Sequence, residues 1–126
     1  GRALIHKPLG VDLSILKALM LEDTKHFTVE YMDNRISLYA AQYGKCAVTG
    51  KHLSKDEIHC HHKTPKCYGG DDRYENLVIV HSDVHILIHA KTQETIEKYM
   101  CIVQPTKEQR KKLNKLRALA RLPEIL

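Results

Sequence analysis

The sequence predicts an α+β fold in which helices flank a short β-rich segment near the middle of the chain. Towards both ends, apolar residues recur at intervals of three and four, which is typical of amphipathic helices. Between them, residues 57–62 (EIHCHH) and 77–80 (LVIV) are short β-prone runs, and the segment that separates them is rich in Pro, Gly and Asp. The central part is therefore predicted to run strand, long loop, strand, helix.

The first helical flank is predicted over residues 1–44. Asp12 follows two turn residues and is expected to cap a short helix. A longer helix is predicted to begin after Thr28 and to end at Gly44. Its apolar positions at helical spacing are Val29, Met32, Ile36, Tyr39, Ala40 and Tyr43.

The second helical flank is predicted over residues 91–126. One helix is expected to start after Thr92, and a second to start at a capping box formed by Thr106 and Gln109 and to stop by Pro123. The apolar stripe of this last helix is predicted at Leu113, Leu116, Leu119 and Ala120. Its basic residues are Lys107, Arg110, Lys111, Lys112, Lys115, Arg117 and Arg121.

Size and composition favour one compact domain, with the two flanks packed around a core over residues 45–90. The chain has 126 residues, 43% of them hydrophobic, which suffices for an interior built without Trp. No apolar run approaches the roughly 18 residues of a membrane span, and no signal peptide is readable, so we expect an intracellular protein (cytoplasmic, bacterial-type or organellar) with no membrane partner. Because the sequence opens at Gly1 rather than Met, we expect it to be part of a longer protein.

The formal net charge of +5 comes from the last segment of the chain. Residues 91–126 carry nine basic and four acidic side chains (9 − 4 = 5), whereas the two preceding segments are each balanced. Such an excess is either a solvated helix face or a surface that binds a polyanion such as nucleic acid. The sequence leaves both readings open.

The four cysteines are irregularly spaced, and no two of them form a C-x-x-C pair. Without a secretory signal, reduced and partly buried thiols are favoured over disulfides. A second, structural zinc site that uses some of them is the less favoured reading.

Five of the nine histidines lie between residues 60 and 90, at spacings that suit a metal site. His85 and His89 are four residues apart, so on a helix they lie on one face, and the adjacent pair His61 and His62 ends the first predicted strand. Three neutral imidazoles around one divalent ion leave positions open for water and substrate, as a catalytic metal requires. Because neighbouring strand residues face opposite ways, the pair fits one ligand and one general base better than two ligands.

The stretch CHHKTPKCYGGDDRYENLVIVHSDVHILIHA (residues 60–90) resembles the HNH, or ββα-metal (His-Me finger), nuclease motif. The likeness rests on an adjacent His pair before x-x-P, a Gly-Gly loop, an Asn before the second strand and a His nine residues later on the helix. The resemblance implies that His61, His85 and His89 bind one divalent ion, that His62 is the general base and that Asn76 orders the loop and positions the site. It further implies one-metal DNA cleavage, in which water attacks phosphorus in line and a 3′ oxygen leaves.

The flanking sequences ISLYAAQYGKCAVTG and LIHAKTQETIEKY are similar to those of the C-terminal endonuclease domain of group II intron-encoded reverse transcriptase–maturases. This resemblance implies DNA as substrate, with the rest of the parent protein and its intron RNA as further partners. Phosphate contacts are expected from five basic residues, namely Lys63, Lys66, Arg73, Lys111 and Lys115. The ion is expected to be Zn, Mg, Mn or Ni, because imidazole ligands suit Zn, Ni and Mn-type chemistry whereas strand cleavage in cells can use Mg²⁺.

The sequence departs from the family in one respect, because the two C-x-x-C pairs that hold a structural zinc in many members are not intact. The first position reads CAVT, with Thr49 in place of a cysteine, and the second reads HSDV, with His81 and Val84. A four-cysteine zinc ribbon is therefore excluded, although a mixed site using Cys46, Cys67 or His81 stays open. The alternative to an endonuclease is a non-catalytic, zinc-stabilised module that binds nucleic acid.

Overall fold

The computed structural model describes residues 12–20 and 27–126. The predicted α+β class is confirmed, since the described residues form five α-helices and one two-stranded antiparallel sheet. In chain order these are α1 (Leu13–Met20), α2 (Val29–Ala41), β1 (Ile58–His62), β2 (Leu77–His81), α3 (Ser82–His89), α4 (Gln93–Val103) and α5 (Lys107–Leu119). The predicted central order of strand, loop, strand and helix is also confirmed.

The sheet gives the two faces of β1 different surroundings. The register pairs Ile58 with His81 at one end and His62 with Leu77 at the other. Because side chains alternate along a strand, His59 and His61 share the face that meets α3, and His62 lies on the opposite face. There its ring stacks on Tyr31 of α2, with 5.4 Å between ring centroids.

The hydrophobic core lies where β2 packs against α2 and α3. Leu77, Ile79 and Val80 of β2 are fully buried, as are Leu87 and Ile88 of α3. Burial of these large apolar side chains is the main favourable term in fixing α3 against the sheet. The fold therefore holds one face of α3 rigidly beside β1.

Helix α2 begins where the sequence predicts, and its buried face matches the predicted apolar positions only in part. The Thr28 hydroxyl accepts a hydrogen bond from the Tyr31 N–H and caps the helix. The helix ends at Ala41, three residues before Gly44, which has a φ of +70°. Of the apolar positions predicted at helical spacing, Met32 and Tyr39 are buried, whereas Val29 and Tyr43 are exposed. The reason is that α2 contacts both β2 and α1, so burial extends to residues on a second side, namely Tyr31, Arg35 and Leu38.

In helix α5, one of the basic residues expected at the surface, Arg117, is buried instead. Arg117 is 1% exposed, and its guanidinium donates hydrogen bonds to the carbonyl oxygens of Leu87 (2.7 Å), Ala90 (2.8 Å) and Pro123 (2.8 Å). Leu119, expected in the apolar stripe, is instead 47% exposed. Because helix carbonyls at a C-terminus have no intrahelical partner, Arg117 serves as a distant cap for α3. It thereby supports the turn of α3 that carries His89.

Capping explains where the other helices begin. The Asp12 carboxylate accepts from the Ser14 and Ile15 N–H groups before α1, and Thr92 caps α4. The capping box predicted for α5 is present. Because it comes shortly after the LVIV run, Ser82 is the N-cap that the sequence predicts for α3, but it is the first helical residue. His81 takes the capping role, since its Nδ1 accepts from the Asp83 N–H at 2.9 Å.

All four cysteines are free, as favoured from the sequence. In the ranges 12–20 and 27–126, the one group of three or more potential metal-binding residues contains histidines alone. Within the same ranges, none of the helices combines the length and the apolarity that crossing a bilayer demands.

Candidate metal centre

The strand and the helix bring three predicted ligands together. His85 and His89 lie one turn apart on α3, and His61 reaches them from β1. One ring nitrogen from each lies within 4.8 Å of the others, and the ring centroids are 4.7–5.2 Å apart. The rings meet edge to face rather than stacking. The three histidines therefore form a group that can hold a metal ion.

A buried nitrogen supports this interpretation. His61 is 1% exposed, and its Nε2 has no hydrogen-bond partner among the described residues. A buried polar atom without a partner costs free energy, on the order of 1–3 kcal/mol, and is rare in folded proteins. A bound cation would satisfy this lone pair, so the residues present fit a metal ion.

The cluster keeps its histidines neutral, which is the form that binds metal. Burial, helped by the neighbouring histidines, lowers the pKa of His61 from 6.5 to about 3 and that of His85 to about 4. Burial and the nearby charges of Lys91 and Arg117 also lower the pKa of His89. Since all three lone pairs stay available at neutral pH, no proton competes strongly with a cation.

His62 has a different partner although it follows His61 directly. Its Nε2 lies 2.7 Å from Oδ1 of Asp72, and its side chain is 25% exposed. Within residues 12–20 and 27–126 no group hydrogen-bonds to the second ring nitrogen, Nδ1. The charge that His62 carries when protonated is close enough to help lower the pKa of both His61 and His85. His62 is thus adjacent to the cluster without belonging to it.

Asp72 is a buried carboxylate that several groups hold in place. It is 6% exposed, its Oδ2 accepts from the Thr28 hydroxyl at 2.6 Å, and Lys66 Nζ approaches within 3.3 Å. Burial by itself raises the pKa of the Asp72 carboxyl, but the hydrogen bonds from Thr28, His62 and Lys66 outweigh it and leave the pKa lowered. The carboxylate is therefore ionised and fixed beside His62.

Asn76 holds the loop between the strands. Its side-chain amide accepts from the Thr64 N–H at 2.9 Å and donates to the carbonyl oxygens of Thr64 and Asp71. Gly70 lies against the same turn, where a Cβ would come within 1.7 Å of the Thr64 carbonyl oxygen. The Asn76 side chain therefore makes its hydrogen bonds to the backbone of the loop that carries Asp72.

The five basic residues expected to contact phosphate lie in two places. Lys63, Lys66 and Arg73 lie in or beside the loop between the strands, where Lys66 pairs with Asp72 and Arg73 pairs with Asp71 at 2.8 Å. Lys111 and Lys115 are exposed and one turn apart on α5. The structure thus leaves these five side chains at or near the surface, whereas Arg117 is withdrawn from it.

Two residues beside the centre were missed from the sequence. One is Asp72, because nothing in GGDDR distinguishes the carboxylate that reaches His62 from its neighbour Asp71. The other is His59, whose Nδ1 lies 3.1 Å from Nδ1 of His85. Strand alternation places His59 on the same face as His61, so that signal was present in the sequence.

No family model, curated protein or solved structure matches this chain.

Proposed function

We propose that this chain is a metal-dependent DNA endonuclease that hydrolyses phosphodiester bonds with one divalent ion, and that its core is a ββα-metal (HNH) unit. The observation that carries the proposal is the contrast between two adjacent histidines. Buried His61, whose Nε2 has no hydrogen-bond partner among the described residues, belongs to a three-histidine cluster. His62, the next residue of β1, is oriented on the other face of the strand by Asp72. An ion site next to an oriented imidazole is the arrangement that hydrolysis requires.

His62 is the general base in this proposal. Because the Asp72 carboxylate accepts a hydrogen bond, the proton of the neutral ring resides on Nε2, and Nδ1 carries the lone pair. Nδ1 takes a proton from water as the water oxygen bonds to phosphorus, and the P–O3′ bond breaks. The products are a 5′-phosphate and a 3′ oxygen that takes a proton from solvent to become a hydroxyl. Asp72 stabilises the imidazolium that forms, as the carboxylate does in Ser-His-Asp triads.

His61, His85 and His89 would hold the ion, with Zn, Mg, Mn and Ni as candidates. When bound, a divalent cation supplies positive charge that offsets the negative charge developing on the phosphate oxygens. Asn76 is a positioning residue, because its amide fixes the loop that holds Asp72 against His62.

The exposed lysines support DNA as the substrate. Lys111 and Lys115 belong to the segment that carries the whole net positive charge. Lys63 directly follows the proposed base in the sequence, and Lys66 Nζ lies 3.3 Å from the carboxylate that holds it. Such charges bind the phosphate backbone without reading sequence, and their contribution weakens with salt. The proposal extends to a role as the strand-nicking domain of a group II intron-encoded protein, with the remaining chain and intron RNA delivering the target.

The test is nicking of supercoiled plasmid across a series of divalent metals, with His62→Ala beside the parent chain. We expect the variant to bind metal with parental affinity and to lose at least about 100-fold in nicking rate, which is the scale of general-base catalysis. His52→Ala, which removes an exposed histidine elsewhere on the molecule, should nick like the parent.

Each contrary outcome has a distinct meaning. Equal nicking by parent and His62→Ala would show that His62 is not the base. Loss of metal in that variant would reassign His62 as a ligand. Metal and DNA binding by the parent with no nicking under any metal would favour the non-catalytic, zinc-stabilised nucleic-acid-binding module, which has no use for the bond between Asp72 and His62.

A further inference from the structure

A fourth histidine, His59, touches the three-histidine cluster from outside. It lies two residues before His61 on the same face of β1, and its ring is exposed. Its Nδ1 is 3.1 Å from Nδ1 of His85, with the two ring planes tilted by 50°. His59 is not a member of the group whose nitrogens all approach one another within 4.8 Å, so it is placed to contact a ligand rather than to share the ion.

The short contact between two Nδ1 atoms restricts the tautomers. A neutral imidazole has one N–H and one lone pair, so exactly one of the two Nδ1 atoms must donate. If His59 donates, the His85 lone pair is used at Nδ1 and Nε2 carries the proton, which leaves His85 nothing with which to bind a cation. If His85 donates from Nδ1, its Nε2 lone pair is free. Only the second arrangement is compatible with a metal ligand.

We propose that His59 is a positioning residue of the metal centre, accepting a hydrogen bond from His85 Nδ1–H and thereby selecting the tautomer whose Nε2 binds the ion. This inference rests on the proposed metal site. Ligating histidines in metalloproteins characteristically donate their second ring N–H to a protein acceptor, which fixes the ring and raises its basicity. Here a neutral imidazole takes the place of the usual carboxylate or carbonyl.

Selection of the tautomer makes metal binding depend on an exposed side chain that does not touch the ion. Loss of the acceptor frees the His85 ring to rotate and to populate the tautomer that cannot bind. His61 is less affected, because burial fixes its ring. His59 should therefore influence metal affinity through His85 alone.

The experiment measures Zn²⁺ affinity of the full chain by competition with a chromophoric chelator, for the parent, His59→Ala and His59→Asn. Removal of such an outer partner typically costs about 10–100-fold in affinity, and we expect that loss for His59→Ala. Asn places a carbonyl oxygen near the position of Nδ1 and should restore most of the affinity, while the exposed-site control His52→Ala should match the parent. Equal urea midpoints for the metal-free proteins would show that the fold is unchanged.

Nitrogen-15 NMR of the imidazoles in the zinc-loaded parent gives a second readout. We expect His85 to show a protonated Nδ1 and a metal-bound Nε2, and His59 to show no metal-bound nitrogen. Parental affinity in His59→Ala, or a metal-bound nitrogen on His59, would overturn the inference while leaving the three-histidine site standing. Absence of zinc binding by the parent would overturn both.

Discussion

The two faces of strand β1 differ in what they lack. On the face that meets α3, His61 is fully buried, and within residues 12–20 and 27–126 its Nε2 has no hydrogen-bond partner. On the other face, His62 is partly exposed and Asp72 already holds its Nε2 at 2.7 Å. His61 thus belongs to a cluster that can hold a cation, whereas the next residue, His62, is held by a carboxylate in a way that suits proton transfer.

This difference shows how one strand can present a metal-binding side chain on one face and a side chain suited to proton transfer on the other. Alternation sends adjacent side chains to opposite faces, so the two imidazoles have different neighbours although they are consecutive. The helix α3 supplies partners of the same type to one face, and the loop and α2 supply a carboxylate and an aromatic ring to the other. Variants on the His62 face should therefore reduce nicking and leave metal affinity intact, whereas variants on the face of the three-histidine cluster should reduce both, because the proposed nicking depends on the metal.

The largest effect is expected from His61→Leu. Loss of one of three ligands should weaken Zn²⁺ binding by more than the roughly 100-fold that loss of an outer partner costs. The metal-free protein should not be destabilised, because an apolar side chain of similar size replaces a buried nitrogen that no described residue hydrogen-bonds. Chelator competition and urea unfolding of the metal-free proteins measure the two quantities.

A matched control for His61→Leu is His52→Leu, an exposed position outside the cluster. Retention of parental zinc affinity in His61→Leu would place the cation elsewhere and would remove the basis for contrasting the two faces of β1.

Asp72→Asn should give the next largest effect, on the opposite face. The amide keeps the size of the carboxylate but removes the charge that stabilises the imidazolium of His62, so nicking should fall by about 100-fold. Zinc affinity should stay within error of the parent. Asp71→Asn is the matched control, because its carboxylate pairs with exposed Arg73 and does not contact His62. A drop in zinc affinity in Asp72→Asn would mean that the two faces are not independent.

The spacing of histidines predicted much of this arrangement. The interval of four between His85 and His89 suits a helix, and strand alternation correctly separated His61 from His62, since both rules depend on local geometry alone. The caps at Thr28, Thr92 and Thr106 were predicted for the same reason.

Contacts between distant parts of the chain were not predictable. Asp72 reaches Thr28 across 44 residues, and Arg117 reaches the Leu87 carbonyl across 30. These pairings depend on how the helices pack, which no local pattern encodes. Arg117 was therefore assigned to the basic surface, although its side chain is buried and donates to carbonyl oxygens at the C-terminal end of α3.

Acid should destabilise the metal-free protein because His61, in the three-histidine cluster, resists protonation in the folded state. Burial lowers the pKa of His61 to about 3, whereas the unfolded chain takes up a proton near the ordinary value of 6.5. Below pH 6.5 the unfolded state therefore binds more protons, and stability falls as pH falls. From His61 alone the loss between pH 6.5 and pH 5 should be about 2 kcal/mol.

Urea unfolding of chelator-treated protein at several pH values measures this slope. His61→Leu should show a shallower pH dependence over the same range, whereas Asp72→Asn should keep the parental slope. An identical slope in parent and His61→Leu would contradict the assignment of the acid sensitivity to His61.

The smallest effect is expected from Thr28→Ala, which acts on the His62 face from a distance. The hydroxyl both caps α2 and donates to Asp72, so its loss should cost about 1 kcal/mol of unfolding free energy. Nicking should fall only by about threefold, which corresponds to about 0.6 kcal/mol, because Lys66 and His62 still hold the carboxylate. Thr28→Ser keeps the hydroxyl and should restore both properties, while zinc affinity should be the same in all three proteins. A fall in zinc affinity in Thr28→Ala would show that the Asp72 side of β1 helps to organise the cluster on the other side.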